Sequence, residues 1–528
     1  MIGKILSIQD NIVTVKLAID MNNQANLINL HAIFEEGNHK IVGEIIDMNQ
    51  ETAKIMIVGE FKEGVFVPGF NKKPSFRSQV RIINMEELSA ILGSQNVKDA
   101  SQIRFGVSNI YSNYQINVDI NGFFSNHFAI LGNTGSGKSF TVARLLQNVF
   151  TSSEYLPVNA RILLFDAYGE YTQAFSKLHE ISPMLNYKVY TTNTVYPEHE
   201  VLRIPLWLLG VDDLALLLNV TTPNQMPILE KTLKLVLVLK GTDEKVVAHK
   251  NDIIARAVVD ILLSGDESSK IRDQVTAILT SFHTPQLNLE SKISQPGYVR
   301  TLKQCLYVDK VGKMQDMEVV VDFMRQFIVE GLELPTPDGT IPYTLKDLEQ
   351  ALDFALISEG ILRSNRVFDY ANILSVRLHS LVNSSASEYF NYPEMVSKAE
   401  YIRRLMSTPD NKKCQIVNCN INYIDDRLAK TITKILSKMI FDVASTDPQR
   451  GSHPFHIIME EAHRYVQKDL DVDILGYNIF ERITKEGRKY GVLLGLITQR
   501  PSELSDTAIS QCSNFVILRT LHPKDLDY

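Results

Sequence analysis

Eight consecutive residues, Gly132-Asn133-Thr134-Gly135-Ser136-Gly137-Lys138-Ser139, have the types and spacing to hold a triphosphate. Phosphate oxygens need several backbone N–H groups converging on them, and only residues without a Cβ let the chain curl that closely. The glycines meet that need, and a helix starting where the loop ends adds its N-terminal dipole. Lys138 can then reach the β- and γ-phosphates of ATP, while the Ser139 hydroxyl is placed to ligate Mg²⁺. Phe140, the next residue, is grouped with this nucleotide-binding segment. Hydrolysis asks for more. The apolar run Phe455-His456-Ile457-Ile458-Met459 ends in Glu460-Glu461. The first carboxylate would sit near Mg²⁺ through its waters, and the second would orient or deprotonate the attacking water. Gln499 closes another apolar run and could hydrogen-bond the γ-phosphate or that water, with helix capping as the alternative. Arg488, in Lys485-Glu486-Gly487-Arg488-Lys489-Tyr490-Gly491, is the favoured group to project towards a neighbouring subunit's γ-phosphate. Such a finger is typically worth about 10³ to 10⁵ in rate. Arg482 and Arg500 compete for the role, and each of the three also reads as a surface ion pair.

Strand ends must position these groups. Residues 127–131 are apolar enough for a strand buried on both faces, and Val142, Leu145, Leu146 and Val149 fall at helical spacing behind the loop. Further strands are predicted over 161–165, 414–421, 455–459, 492–498 and 515–518, with helices over 426–444 and 479–490. Apolar strands alternating with helices predict a parallel sheet covered on both faces. In such sheets ligands bind beyond the carboxyl ends of the strands, where the polar tip of each motif falls. Between about 200 and 400 the pattern turns helical, over 211–218, 225–239, 250–263, 269–282, 317–330, 345–359 and 368–382, with no polar constellation suggesting a second site. Before the core, Val13, Val15, Leu17 and Ile19 alternate with Thr14, Lys16 and Ala18. Short strands over 41–48, 53–58, 64–70 and 75–83, then a helix over 86–92, complete a small barrel read as an assembly or docking domain. The expected organisation is a barrel at 1–105, the first part of an α/β core at 106–200, a helical insertion at 201–400 and the rest of the core at 401–528.

With 528 residues, 45% of them hydrophobic and 22% charged, the chain is globular. No run approaches a membrane span, since 233–239 is short and interrupted by Lys234. Met1-Ile2-Gly3-Lys4-Ile5 begins as a strand without signal-peptide architecture, so a cytoplasmic protein without membrane partners is expected. Four cysteines, Cys305, Cys414, Cys419 and Cys512, are too scattered for a disulfide framework and read as reduced core residues. Cys414 and Cys419, five apart on an expected strand, face opposite sides. The net charge of −7 gives no global signature of nucleic-acid binding. A ring-shaped motor can nonetheless be acidic outside and basic only along its channel.

Five blocks occur in order after the barrel: GNTGSGKSFTVARLL, LLFDAYGEY, IIMEEAH, EGRKYGV and TQRPSELS. Together they resemble the HerA branch of the HerA/FtsK superfamily of hexameric DNA-translocating ATPases, over nearly the whole chain. The resemblance implies a RecA-like P-loop ATPase core with a helical insertion, preceded by a small N-terminal β-barrel. It also implies a homo-hexamer with ATP sites between subunits and double-stranded DNA threaded through its channel. Carried over to this chain, Lys138 and Ser139 bind phosphate and Mg²⁺, Glu461 is the catalytic carboxylate, Gln499 the sensor and Arg488 the trans finger. Asp166 and Glu170 fall on the family's DxxGE segment, with a supporting or structural role. Two departures are visible. Glu460 stands where many relatives have Asp, and its longer side chain should still reach a metal-bound water. The last expected strand lies about ten residues before Tyr528, whereas relatives continue with a tail that braces the neighbouring subunit, so ring contacts would have to come from elsewhere or the chain is a shortened one. Relatives work with an effector: a NurA-type end-processing nuclease in archaea, or a Sir2-like NAD-consuming protein or nuclease in bacterial antiphage systems. The expectation is therefore an ATP-hydrolysing motor on double-stranded DNA with an effector supplied in trans, in antiphage defence or DNA repair. Its rivals are an ATP-dependent ring scaffold that activates an effector without processive movement, and a motor for protein substrates like the secretion and conjugation ATPases.

Overall fold

Strand alternation near the N-terminus produces a closed barrel. The computed structural model describes residues 2–18, 27–93, 101–112, 114–151, 156–240, 244–331, 339–358, 365–469 and 471–527. Its strands begin with β1 (Gly3–Gln9), β2 (Ile12–Leu17), β3 (His31–Glu36), β4 (His39–Met48), β5 (Thr52–Lys62), β6 (Val65–Pro68) and β7 (Gln79–Ile82). Their order is β2-β1-β7-β3-β4-β5-β6, and β2 also pairs with β5. Six antiparallel strands thus close on themselves and leave no open edge among them, while β6 hangs from the long β5. In β2 the period of two is plain: Val13 and Val15 are fully buried between outward Thr14 and Lys16. Strand β3 was not expected. It buries Ala32, Ile33 and Phe34 in succession, so it carries no alternation to read. The helix Met85–Leu92 follows, started by a capping box in which Asn84 and Glu87 each accept the other's backbone N–H. A hairpin of β8 (Gln102–Val107) and β9 (Gln115–Asp119) comes next. These elements and residues Phe140–Pro157 make one compact unit, Met1–Ser125 with Phe140–Pro157.

The second unit, Asn126–Ser139 with Val158–Tyr528, holds the expected parallel sheet. It comprises β10 (Phe128–Leu131), β11 (Ile162–Asp166), β12 (Tyr187–Thr191), β13 (Glu200–Val201) and, after a separate hairpin of β14 (Lys292–Gln295) and β15 (Tyr298–Thr301), β16 (Ile416–Asn420), β17 (Phe455–Met459), β18 (Val492–Thr498) and β19 (Asn514–Ile517). The order is β13-β12-β16-β11-β17-β18-β10-β19, and every neighbouring pair is parallel. Strands β10, β11 and β18 are buried at every residue, which is why they read as continuous apolar runs. The expected α/β class with a P-loop core, a helical insertion and a preceding barrel is what the chain adopts.

All seven helices expected in the insertion form, as Val211–Leu217, Met226–Lys240, Glu244–Leu262, Ser268–Ser281, Met317–Arg325, Leu345–Ser358 and Asn365–Val382. The fifth stops five residues short of position 330: the N–H groups of Gln326, Phe327 and Ile328 turn to the carbonyls three residues back, and the Val329 N–H donates to Asp252 Oδ1 at 2.9 Å. Position 359 of the sixth lies outside the described residues. The apolar faces of these helices join the sheet in one continuous core. All four cysteines are free and buried, and Cys414 precedes β16 rather than lying on it. No helix among the described residues is long and apolar enough to cross a membrane.

Candidate active site

The phosphate loop joins the end of β10 to the helix Lys138–Thr151, whose first residues are the Lys-Ser pair. Gly135 at φ 73° and Gly137 at φ 95° take the left-handed backbone that side chains disfavour. Two backbone bonds tie the loop down, Gly132 N–H to the carbonyl of Thr498 in β18 at 3.2 Å and Asn133 N–H to the carbonyl of Arg519, just past β19, at 2.9 Å. Ser136 Oγ is buried without a hydrogen-bond partner among the described residues, and Lys138, only 8% exposed, turns its ammonium back onto the Asn133 carbonyl at 3.2 Å. An unsatisfied hydroxyl and a buried ammonium in a glycine cradle fit an anionic phosphate chain. Phe140 is 84% exposed.

Strand β17 delivers the two carboxylates. Glu460 is 3% exposed. Its Oε1 accepts from Ser139 Oγ at 3.2 Å and its Oε2 from the Ala167 N–H at 3.2 Å. A hydroxyl and a carboxylate side by side are the hard oxygen donors that Mg²⁺ takes, so the pair fits the expected metal. Burial first, then the charge of Asp166, push the Glu460 carboxyl up to about 9. Glu461 takes left-handed backbone, φ 49° and ψ 47°, a conformation that costs a non-glycine residue roughly 1–2 kcal/mol. The turn sends its carboxyl into a buried position, 6% exposed, where burial raises its pKa and Lys138 works against the rise. His463 Nδ1 lies 3.2 Å from Glu461 Oε2 and 2.9 Å from Thr498 Oγ1.

Asp166, at the end of β11, is fully buried and works as a backbone organiser. Its Oδ1 accepts from the N–H groups of Gly169 at 2.7 Å and Glu170 at 3.0 Å, and its Oδ2 from Tyr171 N–H at 3.0 Å and Asn418 Nδ2 at 3.1 Å. The loop that passes Glu460 is therefore wound around one carboxylate. Glu170 is exposed. Gln499, the residue after β18, is half-buried, with its carbonyl oxygen accepting from Thr134 Oγ1 of the phosphate loop.

The three arginines separate in space. Arg500 is on the loop side of the sheet, where Nη1 binds Glu503 at 2.9 Å. Arg482 lies over the ring of Phe441, with 5.1 Å to the centroid. Arg488 is exposed, without a side-chain partner among the described residues, and ends the helix Ile479–Tyr490 just before β18 starts. Seven strand residues separate that point from the end of β18, roughly 20 Å at strand rise. Within one chain Arg488 is thus at the opposite end of the sheet from the phosphate loop.

Sequence reasoning passed over His463, Asn418 and Arg464. The Arg464 guanidinium lies 5.9 Å from the centroid of the Tyr168 ring and pairs with Asp426. His463 and Arg464 follow the paired glutamates after one alanine, and that closeness was the available signal.

Residues 103–308 match the family model described as Helicase HerA, central domain. The chain is similar to the DNA double-strand break repair helicase HerA of Pyrococcus furiosus, with 22% identity over 493 residues, 92% of this chain and 72% of that protein. It is also similar to the protein of the same name from Sulfolobus acidocaldarius, with 25% identity over 458 residues, 86% of this chain and 66% of that one. A solved structure, VirB4 of Thermoanaerobacter pseudethanolicus, aligns with a TM-score of 0.39 and 14% identity, covering 82% of this chain and 87% of that one.

Proposed function

We propose that this chain, a P-loop ATPase of the HerA type, hydrolyses ATP with Mg²⁺ in order to move along double-stranded DNA. The observation that carries the reading is convergence. The phosphate loop after β10, the carboxylates after β17 and Gln499 after β18 meet at the carboxyl ends of three adjacent strands. Lys138 leaves the Asn133 carbonyl for the phosphates. Ser139 and Glu460 would hold Mg²⁺, which when bound would neutralise charge on the phosphate oxygens and favour the ionised form of Glu460. Glu461 takes a proton from the attacking water as its oxygen bonds to the γ-phosphorus and the bond to ADP breaks. Gln499 orients that water, and Arg488 reaches the γ-phosphate of the next subunit.

The finer parts of the reading are a homo-hexamer, a cytoplasmic location and an effector in trans, a nuclease or Sir2-like NADase docked on the barrel, in antiphage defence. The HerA resemblance supports the ring and the effector, and the names of the relatives support DNA as the track. The test is ATP turnover by the purified assembly, without nucleic acid and then with duplex or single-stranded DNA, using Glu461→Gln as the blank. Stimulation by duplex DNA is expected. Turnover indifferent to DNA would overturn the motor and favour a ring scaffold.

A further inference from the structure

The carboxylate assigned to the attacking water is held by little of its own element. Glu461 sits at a left-handed turn, and its Oε2 has no hydrogen bond of good geometry among the described residues although it is buried. Nδ1 of His463 lies 3.2 Å from it, and the carboxyl also accepts the backbone N–H of Gln499, just past β18. The His463 nitrogen is shared. It also lies 2.9 Å from Thr498 Oγ1, on the last residue of β18. His463 and Thr498 are 8% and 0% exposed, so water does not compete for the contact. Thr498 in turn accepts the Gly132 N–H with its carbonyl at 3.2 Å and the Arg500 N–H with its hydroxyl at 3.0 Å. Gln499, one residue on, holds Thr134.

We propose that His463 is a positioning residue for Glu461: with a proton on Nδ1, the imidazole bridges the carboxylate and the Thr498 hydroxyl, fixing Glu461 relative to the strand end that carries Gln499 and anchors the phosphate loop. The inference rests on the ATPase reading and adds to it a route by which β18 and the base stay in register. Small displacements of a catalytic group are costly. A shift of about 1 Å can lower a rate by about 100-fold. An imidazole packed between two strand ends prevents such a shift without touching the nucleotide.

The experiment compares His463→Ala, His463→Asn, Thr498→Val and the His463→Ala/Thr498→Val pair with Glu461→Gln in the full chain. Each is measured for ATP turnover, KM, affinity for a fluorescent ATP analogue and melting temperature. His463→Ala should lower kcat by about tenfold or more while KM and analogue affinity stay within about twofold. His463→Asn, whose amide N–H can replace Nδ1–H, should regain a large part of kcat. The double variant should be little worse than His463→Ala, because both remove one bridge. Unchanged kcat in His463→Ala beside an inactive Glu461→Gln would overturn the proposal alone. Parallel loss of analogue affinity and melting temperature in His463→Ala, with no recovery in His463→Asn, would also overturn it, leaving a purely structural histidine. Full turnover in Glu461→Gln would instead remove the ATPase assignment of Glu461, and the positioning role with it.

Discussion

At the residue scale, Asp166 shows how much structure one buried carboxylate can carry. Its two oxygens accept four bonds of 3.1 Å or less, three from consecutive backbone N–H groups at Gly169, Glu170 and Tyr171 and one from Asn418. In Asp166→Ala the Tyr171 N–H and the Asn418 amide stay buried without this acceptor, at roughly 1–3 kcal/mol for each group that water cannot reach. We expect a loss of about 2–4 kcal/mol in urea unfolding, together with lost turnover, because the loop carries the Ala167 N–H that holds Glu460. Asp166→Asn should recover part of the stability, since one amide oxygen still accepts. Lys138→Ala and Glu461→Gln divide differently. The first should abolish binding of a fluorescent ATP analogue, and the second should keep binding and lose at least about 100-fold in turnover. The DxxGE segment suggested a supporting role, but the fan of bonds around Asp166 depends on where Asn418 stands, on a strand more than 250 residues away in sequence. Such an arrangement is set by the sheet order and has no local signature.

At the scale of the element, the helix Ile479–Tyr490 and strand β18 form a unit whose glycines mark close approaches. A Cβ on Gly487 would lie 2.3 Å from the Val492 carbonyl oxygen, and Gly491 ends the helix at φ 75°. Gly487→Ala must therefore push helix and strand apart, at about 1–3 kcal/mol, which a chemical-denaturation midpoint would register. The barrel offers a pH test of another element. Glu87 caps the helix Met85–Leu92 while both its oxygens meet the Arg81 guanidinium, at 2.8 and 2.7 Å, and Lys40 approaches at 2.8 Å. Arg81 above all holds its carboxyl at about 2, below the ordinary 4.5. The ionised form thus stabilises the barrel above the ordinary value, and the contribution is lost as pH falls from about 4.5 towards 2. Between pH 6 and pH 3, the protection factors of this helix, taken against the intrinsic exchange rate at each pH, should fall in the native protein. In Glu87→Gln the pH dependence should shrink by about 1–2 kcal/mol, allowing for the partial exposure of Arg81 and Lys40. Elements whose burial is uniform or strictly periodic were legible from the chain: β17, β18 and the helix Ile479–Tyr490 match their expected bounds. Strand β12, Tyr-Lys-Val-Tyr-Thr, escaped because its first three residues are only half-buried and Lys188 interrupts the apolar pattern. The site was legible where chemistry sits in one string, as in the phosphate loop and Glu460-Glu461. His463 and Thr498 escaped because their meeting depends on β17 and β18 lying side by side.

At the scale of the whole molecule, the position of Arg488 decides how many chains one active site needs. The residue is exposed at the start of β18, while the phosphate loop follows the far end of the parallel neighbour β10. An arginine there cannot serve its own site and can serve only one on another copy. Arg500 is the reverse case, beside Gln499 at the loop end and held to Glu503. The two assignments part in mixed assemblies. If Arg488 acts in trans, Arg488→Ala binds nucleotide but loses turnover by about 10³-fold or more, and Lys138→Ala binds none. A mixture of the two should then regain activity, because a site with an intact phosphate loop can face an intact Arg488 supplied by the neighbouring Lys138→Ala subunit. If Arg500 is the finger in cis, Arg488→Ala should retain turnover by itself, and Arg500→Ala mixed with Lys138→Ala should show no recovery. Titrating the mixing ratio while following ATP turnover separates the two, since recovery in trans peaks at intermediate ratios, whereas inactive chains acting independently stay inactive at every ratio.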